Sequence, residues 1–146
     1  MIENLYVSTN CFGSNDLESV LDHARELNIK NIELSSGLSS HGYSEAILER
    51  YATDFRFILH NYFPPENTGL VLNLASLDTQ IREASINFCK SSIKLCTRVN
   101  SPLYGVHSGF TYDPSPTDLG QNQTHLTRHP VDLAKSAFRD SLIEII

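Results

Sequence analysis

Residues 55–66 read FRFILHNYFPPE, an apolar run that reaches His60 and then breaks at an asparagine, two aromatic residues and two prolines. Residues 103–110, LYGVHSGF, follow the same plan, with His107 after a short apolar run and Ser-Gly behind it. Short apolar runs bounded by turn-forming residues are typical of buried strands. The two stretches therefore predict strands that each end on a histidine.

Strands and helices alternate along the rest of the chain. The pattern predicts strands at residues 5–8, 31–35, 55–60 and 103–107, and helices that begin at Asn15, at Ser44, at Ser76 or Asp78, and at Pro130. Such alternation predicts a parallel sheet covered by helices. The loop after the first strand, TNCFGSND, lacks the GxGxxG pattern of dinucleotide-binding folds.

A (β/α)₈ barrel is the other parallel architecture, and it needs about 250 residues. This chain has 146 residues and ends inside an apolar helical pattern. We therefore expect an α/β fold of TIM-barrel type with about four βα units, a partial (β/α)₈ barrel. Residues 1–146 are expected to form the N-terminal half of such a barrel in a longer protein, without a second domain.

The composition is that of a globular protein, with 40% hydrophobic residues and a net charge of −6. Because no lysine and arginine cluster is present, nucleic acid is not an expected partner. The three cysteines show no CxxC spacing, and neither a signal peptide nor a membrane-spanning run is found. These features predict a reduced, cytoplasmic protein.

Ligands of parallel βα folds bind at the carboxyl ends of the strands. The polar residues at these ends are Ser8, Thr9, Asn10, Glu33, Ser35, His60, Asn61, His107 and Ser108. Two histidines on adjacent strand ends predict a shared divalent metal site, for which Mn, Zn or Mg is expected, with Glu33 as a ligand, a base or an orienting group. The alternative is that the histidines are hydrogen-bonded structural residues and that Glu33 is a salt-bridge partner or a cap. The remaining histidines, His129 among them, are expected on helix surfaces or in loops.

The segment STNCFGSNDLESVLDHARELNIKNIELSSG, residues 8–37, is similar to the opening of the xylose isomerase-like barrel superfamily. That superfamily includes sugar isomerases, ketose epimerases and the endonuclease IV group. LHNYFPPE, LVLNLAS and REASINFCKSSIKLC resemble the branch of sugar phosphate isomerases and epimerases, and VHSG resembles a fourth-strand motif of the endonuclease IV group. The resemblance covers residues 1 to about 110, whereas the loop 111–129 resembles no known motif.

The resemblance implies part of a metal-dependent isomerase or epimerase acting on an α-hydroxy carbonyl sugar or sugar phosphate. It implies that His60 and His107 bind the metal and that Asn10, Glu33, Asn61 and Ser108 contact the substrate. The acid and base carboxylates of the family lie on later strands, so the catalytic residues are not expected here and the fragment alone is expected to be inactive. An endonuclease IV-like phosphodiesterase and a non-catalytic barrel fragment remain the alternatives.

A half barrel leaves its first and fourth strands as edges, which are templates for association. It also exposes inward side chains, which we expect to be Val7, Ile32, Ile58 and Val106 or their strand neighbours. The isolated chain is therefore expected to form homo-oligomers or aggregates, or to be molten.

Overall fold

The computed structural model of the chain describes residues 5–65, 67 and 69–146. Over these residues, strands and helices follow one another as β1 (Val7–Ser8), α1 (Leu17–Glu26), β2 (Asn31–Leu34), α2 (Glu45–Tyr51), β3 (Arg56–His60), α3 (Thr79–Arg98), β4 (Tyr104–Gly105) and α4 (Val131–Ile145). Short 3₁₀ helices lie at Thr9–Phe12, Ser40–Gly42 and Pro116–Asp118. The predicted alternation of strands and helices is confirmed.

The four strands form one parallel sheet in the order β1-β2-β3-β4. In its register, Glu33 of β2 lies between Ser8 of β1 and Ile58 of β3, and His60 pairs with Gly105 of β4. Sequential parallel order is the arrangement of a (β/α) barrel wall, and it differs from the doubly wound orders in which the chain reverses direction across the sheet.

The chain divides into two compact units. The first unit contains the described residues up to Asn67 together with Ser92–Gly105, and so it contains the whole sheet. The second unit contains the described residues between 69 and 91 together with Val106–Ile146.

The core of the first unit lies on one face of the sheet. Alternate residues of β2 and β3 are at most 1% exposed and belong to one apolar cluster with side chains of α1, α2 and the end of α3; they are Ile32, Leu34, Phe57 and Leu59. The neighbours Glu33, Ile58 and His60 are half-buried and lie on the other face. Of the two options predicted for this position, Ile32 or a strand neighbour, the residue on the face away from the core is the neighbour Glu33, because side chains alternate along a strand.

In the second unit, buried hydroxyl groups tie the helices to the preceding segment. The Ser141 hydroxyl, 1% exposed, lies 2.8 Å from the Leu74 carbonyl oxygen and 2.9 Å from that of Ala137 in its own helix. Lys90 of α3 pairs with Glu144 of α4 at 2.9 Å between Nζ and Oε1.

Two boundaries differ from the sequence prediction. Helix α1 is capped by Asp16, whose carboxylate accepts hydrogen bonds from the Ser19 backbone and hydroxyl, and not by Asn15. Strand β4 ends at Gly105, so His107 and Ser108 follow the strand instead of ending it. In the described part of the chain, no helix is both long and apolar enough to span a membrane.

Candidate functional site at the carboxyl ends of the strands

Glu33 and His60 form a polar contact between two of the predicted strand-end residues. They stand near the ends of neighbouring strands, and His60 Nδ1 lies 3.2 Å from Glu33 Oε1. The side chains are 28% and 37% exposed, respectively, so both reach solvent from a half-buried position. The parallel register brings them together, because it places the carboxyl ends of β2 and β3 at the same edge.

Three hydroxyl groups join the ends of β1 and β2. Ser35 Oγ lies 2.7 Å from Ser8 Oγ and 3.1 Å from Thr9 Oγ1, and the Ser35 amide donates to Thr9 Oγ1 at 3.2 Å. Thr9 and Ser35 are at most 2% exposed. Buried hydroxyls need such partners, so this cluster holds the strand end beside Glu33 in place.

Asn10 is exposed, and its side chain packs on Gly37. A Cβ atom on Gly37 would lie 2.3 Å from Asn10 Oδ1, and Gly37 has a φ of +95°. Glycine is therefore required for this close approach of the two loops.

Asn61 is 5% exposed and has a φ of +44°. Its backbone amide donates to the Gly105 carbonyl at 2.6 Å, and its backbone carbonyl accepts from the Tyr104 hydroxyl at 2.8 Å. Its backbone thus fastens the end of β3 to β4. The substrate contact expected of its side chain stays a prediction, as does that of Asn10.

His107 and Ser108 are exposed and belong to the second unit, whereas Glu33 and His60 belong to the first. The loop that carries them turns at Gly109, which has a φ of +109°. That His60 and His107 share one metal ion stays a prediction.

A partly buried polar cluster in the second unit was not predicted from the sequence. Asn73, 0% exposed, donates through Nδ2 to Asp113 Oδ1 at 2.7 Å, and Asp113 Oδ2 lies 2.9 Å from His129 Nε2. His129, which was expected on a helix surface or in a loop, lies in the loop before α4 with 20% of its side chain exposed. No local pattern announces the cluster, because Asn73 and Asp113 are 40 positions apart.

The donor set fits part of a metal site. A histidine whose Nδ1 is held by a carboxylate is the usual form of a metal-binding imidazole, with Nε2 as the ligand atom. No group of three or more His, Cys, Asp or Glu side chains that could hold a metal ion occurs among the described residues. The described residues could thus supply His60, oriented by Glu33, to a site completed by other ligands.

One cavity of the first unit lies at the opposite ends of the strands. It measures about 1180 Å³, and its lining includes Lys30 and Asn31 at the start of β2 and Arg56 at the start of β3. Because ligands of barrel folds bind at the carboxyl ends, its size does not make it the functional site.

Comparison with known proteins supports the fold. No protein-family model and no curated protein matches the sequence. Among solved structures, the chain is similar to a xylose isomerase domain protein from Planctomyces limnophilus, with a TM-score of 0.50 and 15% sequence identity. The match covers 86% of this chain and 44% of that protein, so the chain spans less than half its length. The chain has the fold of part of a xylose isomerase-like (β/α) barrel.

Proposed function

We propose that the chain forms part of a metal-dependent isomerase or epimerase that acts on an α-hydroxy carbonyl sugar or sugar phosphate. The fold belongs to a type that includes sugar isomerases, but fold alone does not specify an activity. The observation that carries the proposal is the contact between Glu33 and His60 at the carboxyl ends of β2 and β3.

Glu33 acts on His60 as an orienting group. When its carboxylate accepts a hydrogen bond from Nδ1–H, the neutral imidazole presents its lone pair at Nε2. The ring is also confined by Gly105, since a Cβ atom there would lie 3.3 Å from His60 Cδ2. In this proposal the carboxylate selects the tautomer of His60, and both neighbours restrict the direction of its ring.

A divalent cation, when bound, polarises the carbonyl and hydroxyl oxygens of the sugar. In this proposal His60 is one ligand and His107 another, and Asn10 and Ser108 contact the sugar. In this proposal the group that takes the proton lies on later βα units. This chain by itself is then expected to bind metal weakly and to lack turnover.

The metal role is tested by replacing His60 with glutamine and titrating the chain with ZnCl₂ and MnCl₂ by calorimetry. The matched control is His41→Gln, which removes an exposed imidazole from a 3₁₀ helix of the same unit. We expect His60→Gln to weaken binding about tenfold or more, and Glu33→Gln to weaken it less. Equal affinities in the His60→Gln and His41→Gln variants would show that His60 is not a ligand.

A further inference from the structure

We propose that Asn73 is a positioning residue for His107 and Ser108, a role that rests on the proposed function of those two residues. Asn73 lies in the segment that precedes α3, and the two site residues follow β4. All three belong to the second unit. Asn73 acts through the loop 109–113, which begins directly after Ser108.

The Asn73 side chain uses its full hydrogen-bonding capacity. Oδ1 accepts from the Phe110 amide at 2.8 Å and from the Ala75 amide at 3.2 Å. Nδ2 donates to the Tyr112 carbonyl at 3.0 Å and to Asp113 at 2.7 Å. Three of these four bonds go to the loop, and the side chain is 0% exposed, so solvent cannot replace them.

The backbone of Asn73 is held by a hydrogen bond to α3. Its backbone amide donates to Ser85 Oγ at 3.0 Å, and this hydroxyl donates to the Ile81 carbonyl at 2.8 Å. This hydrogen bond fixes the backbone of Asn73, and with it the start of its side chain, against α3. A buried, fully satisfied polar network of this kind favours a single conformation of the chain around it.

The loop closes on Asn73 without any spare room. A Cβ atom on Gly109 would lie 2.2 Å from Asn73 Oδ1 and 3.0 Å from Asn73 Cα, and Gly109 has a φ of +109°. The first residue after Ser108 is therefore pressed against the buried amide. Because Gly109 and Phe110 are held so closely, the exposed side chains of His107 and Ser108 start from a fixed backbone.

A second contact secures the far end of the same loop. The His129 amide donates to the Thr111 carbonyl at 2.6 Å, and the His129 ring contacts Asp113, which Asn73 holds. The segment before α4 is thereby joined to the loop 109–113. This contact is a support of the loop and is not needed for the role of Asn73.

The experiment uses the Asn73→Asp variant of the chain. This variant keeps both acceptor contacts, removes both N–H donors and places a second carboxylate beside Asp113. The control is Ser141→Ala, which removes another buried polar side chain of the second unit without touching the Asn73 amide. The backbone amide signals of His107 and Ser108 and the imidazole signals of His107 are followed by NMR, first without metal and then during a titration with ZnCl₂.

We expect Asn73→Asp to shift and broaden the His107 and Ser108 signals and to weaken Zn²⁺ binding at His107 about tenfold or more. Ser141→Ala should lower stability and leave these signals in place. Equal behaviour of the two variants, or unchanged His107 and Ser108 signals in Asn73→Asp, overturns the inference. If Asn73→Asp does not fold, Gly109→Ala takes its place with Gly120→Ala as the control, since Gly120 has a φ of +79° and open space around it.

The two proposals fail in different ways. If the His107 signal of the wild type does not change on addition of Zn²⁺, the metal role of His107 is contradicted. The signals recorded without metal then test the positioning role of Asn73. A His107 signal that responds to Zn²⁺ with equal affinity in wild type and Asn73→Asp contradicts the positioning role alone.

Discussion

Tyr43 shows at the scale of one residue what an unpaired polar atom costs. Among the described residues, its hydroxyl is the one buried side-chain polar atom without a hydrogen-bond partner, and its ring meets Phe63 edge to face at 5.2 Å between centroids. An unsatisfied buried hydroxyl costs about 1–3 kcal/mol. We expect Tyr43→Phe to be neutral or to raise the free energy of unfolding by about 1 kcal/mol, measured by urea denaturation.

Tyr51→Phe is the matched control, and it should change the free energy of unfolding in the opposite direction. The Tyr51 hydroxyl donates to Asp22 Oδ1 at 2.6 Å, and its loss should lower the free energy of unfolding by about 1 kcal/mol. If both variants lose stability to the same degree, Tyr43 has a partner in solution that the structure does not show.

The same tyrosine makes a prediction for alkaline pH. Burial raises the pKa of Tyr43 from 10.0 to about 12, with Glu45 adding to the rise and Arg98 opposing it. Because the pKa of Tyr43 is higher in the folded than in the unfolded state, the stability of the protonated folded chain is fully present below pH 10. This stability is lost as the pH rises towards 12. The decline in stability over this range should be smaller in Tyr43→Phe than in wild type. An identical decline would place the responsible group elsewhere, and Tyr51, whose pKa burial also raises, is then the candidate.

Sequence patterns predict contacts between residues only where a regular element supplies the geometry. From the sequence, Glu33 and His60 could be placed at the same edge, because the strands of a parallel sheet present their carboxyl ends at one edge. The partners of Asn73 could not be predicted, since they lie 37 to 40 positions away in an irregular loop. Asn61 was expected to reach a ligand, but the sequence does not reveal that its backbone adopts a positive φ to join β3 to β4.

At the scale of the element, the start of α1 depends on a choice between two adjacent residues. Asn15 and Asp16 are both good caps by type, and Glu18 suggested a capping box with Asn15. The structure selects Asp16, whose Oδ2 lies 2.9 Å from the Ser19 amide. Glu18 instead pairs with Arg50 of α2, which removes it from the capping box.

Replacing the two caps in turn tests this assignment. Asp16→Ala should lower the free energy of unfolding by about 1 kcal/mol, and Asn15→Ala should change it by a few tenths. The Ser19 backbone and hydroxyl lower the pKa of Asp16 below 3.8, so the cap is fully present above that pH and is lost as the pH falls through the lowered value. Denaturation curves that rank the variants in the reverse order would return the cap to Asn15.

At the scale of the whole molecule, the face of the sheet away from the core is mostly polar, whereas mostly apolar side chains were expected there. Side chains on this face of β2 and β3 are polar except for Ile58; they are Asn31, Glu33, Arg56, Ile58 and His60. A polar face costs little when it is exposed, so exposure of this face does not by itself demand a partner. The expected association of the isolated chain therefore depends on the edges of the sheet.

Each edge strand is preceded by an exposed leucine. Leu5 before β1 is 60% exposed and Leu103 before β4 is 56% exposed. Unpaired strand edges with apolar neighbours favour edge-to-edge pairing, although two-residue edge strands offer few backbone groups for it. We therefore expect a weak, concentration-dependent dimer in place of large aggregates, observable by light scattering.

Leu103→Lys and Leu5→Lys should each weaken this dimer about tenfold, because a charged side chain at an edge opposes pairing. Leu27→Lys is the control, since Leu27 is 57% exposed but follows α1 and borders no edge strand. A dimer weakened equally by all three changes would be held by general apolar contact. A wild-type chain that is monomeric at every concentration and unfolds in one sharp transition would mean that its edges are protected, so that the chain is stable as a half barrel without a partner.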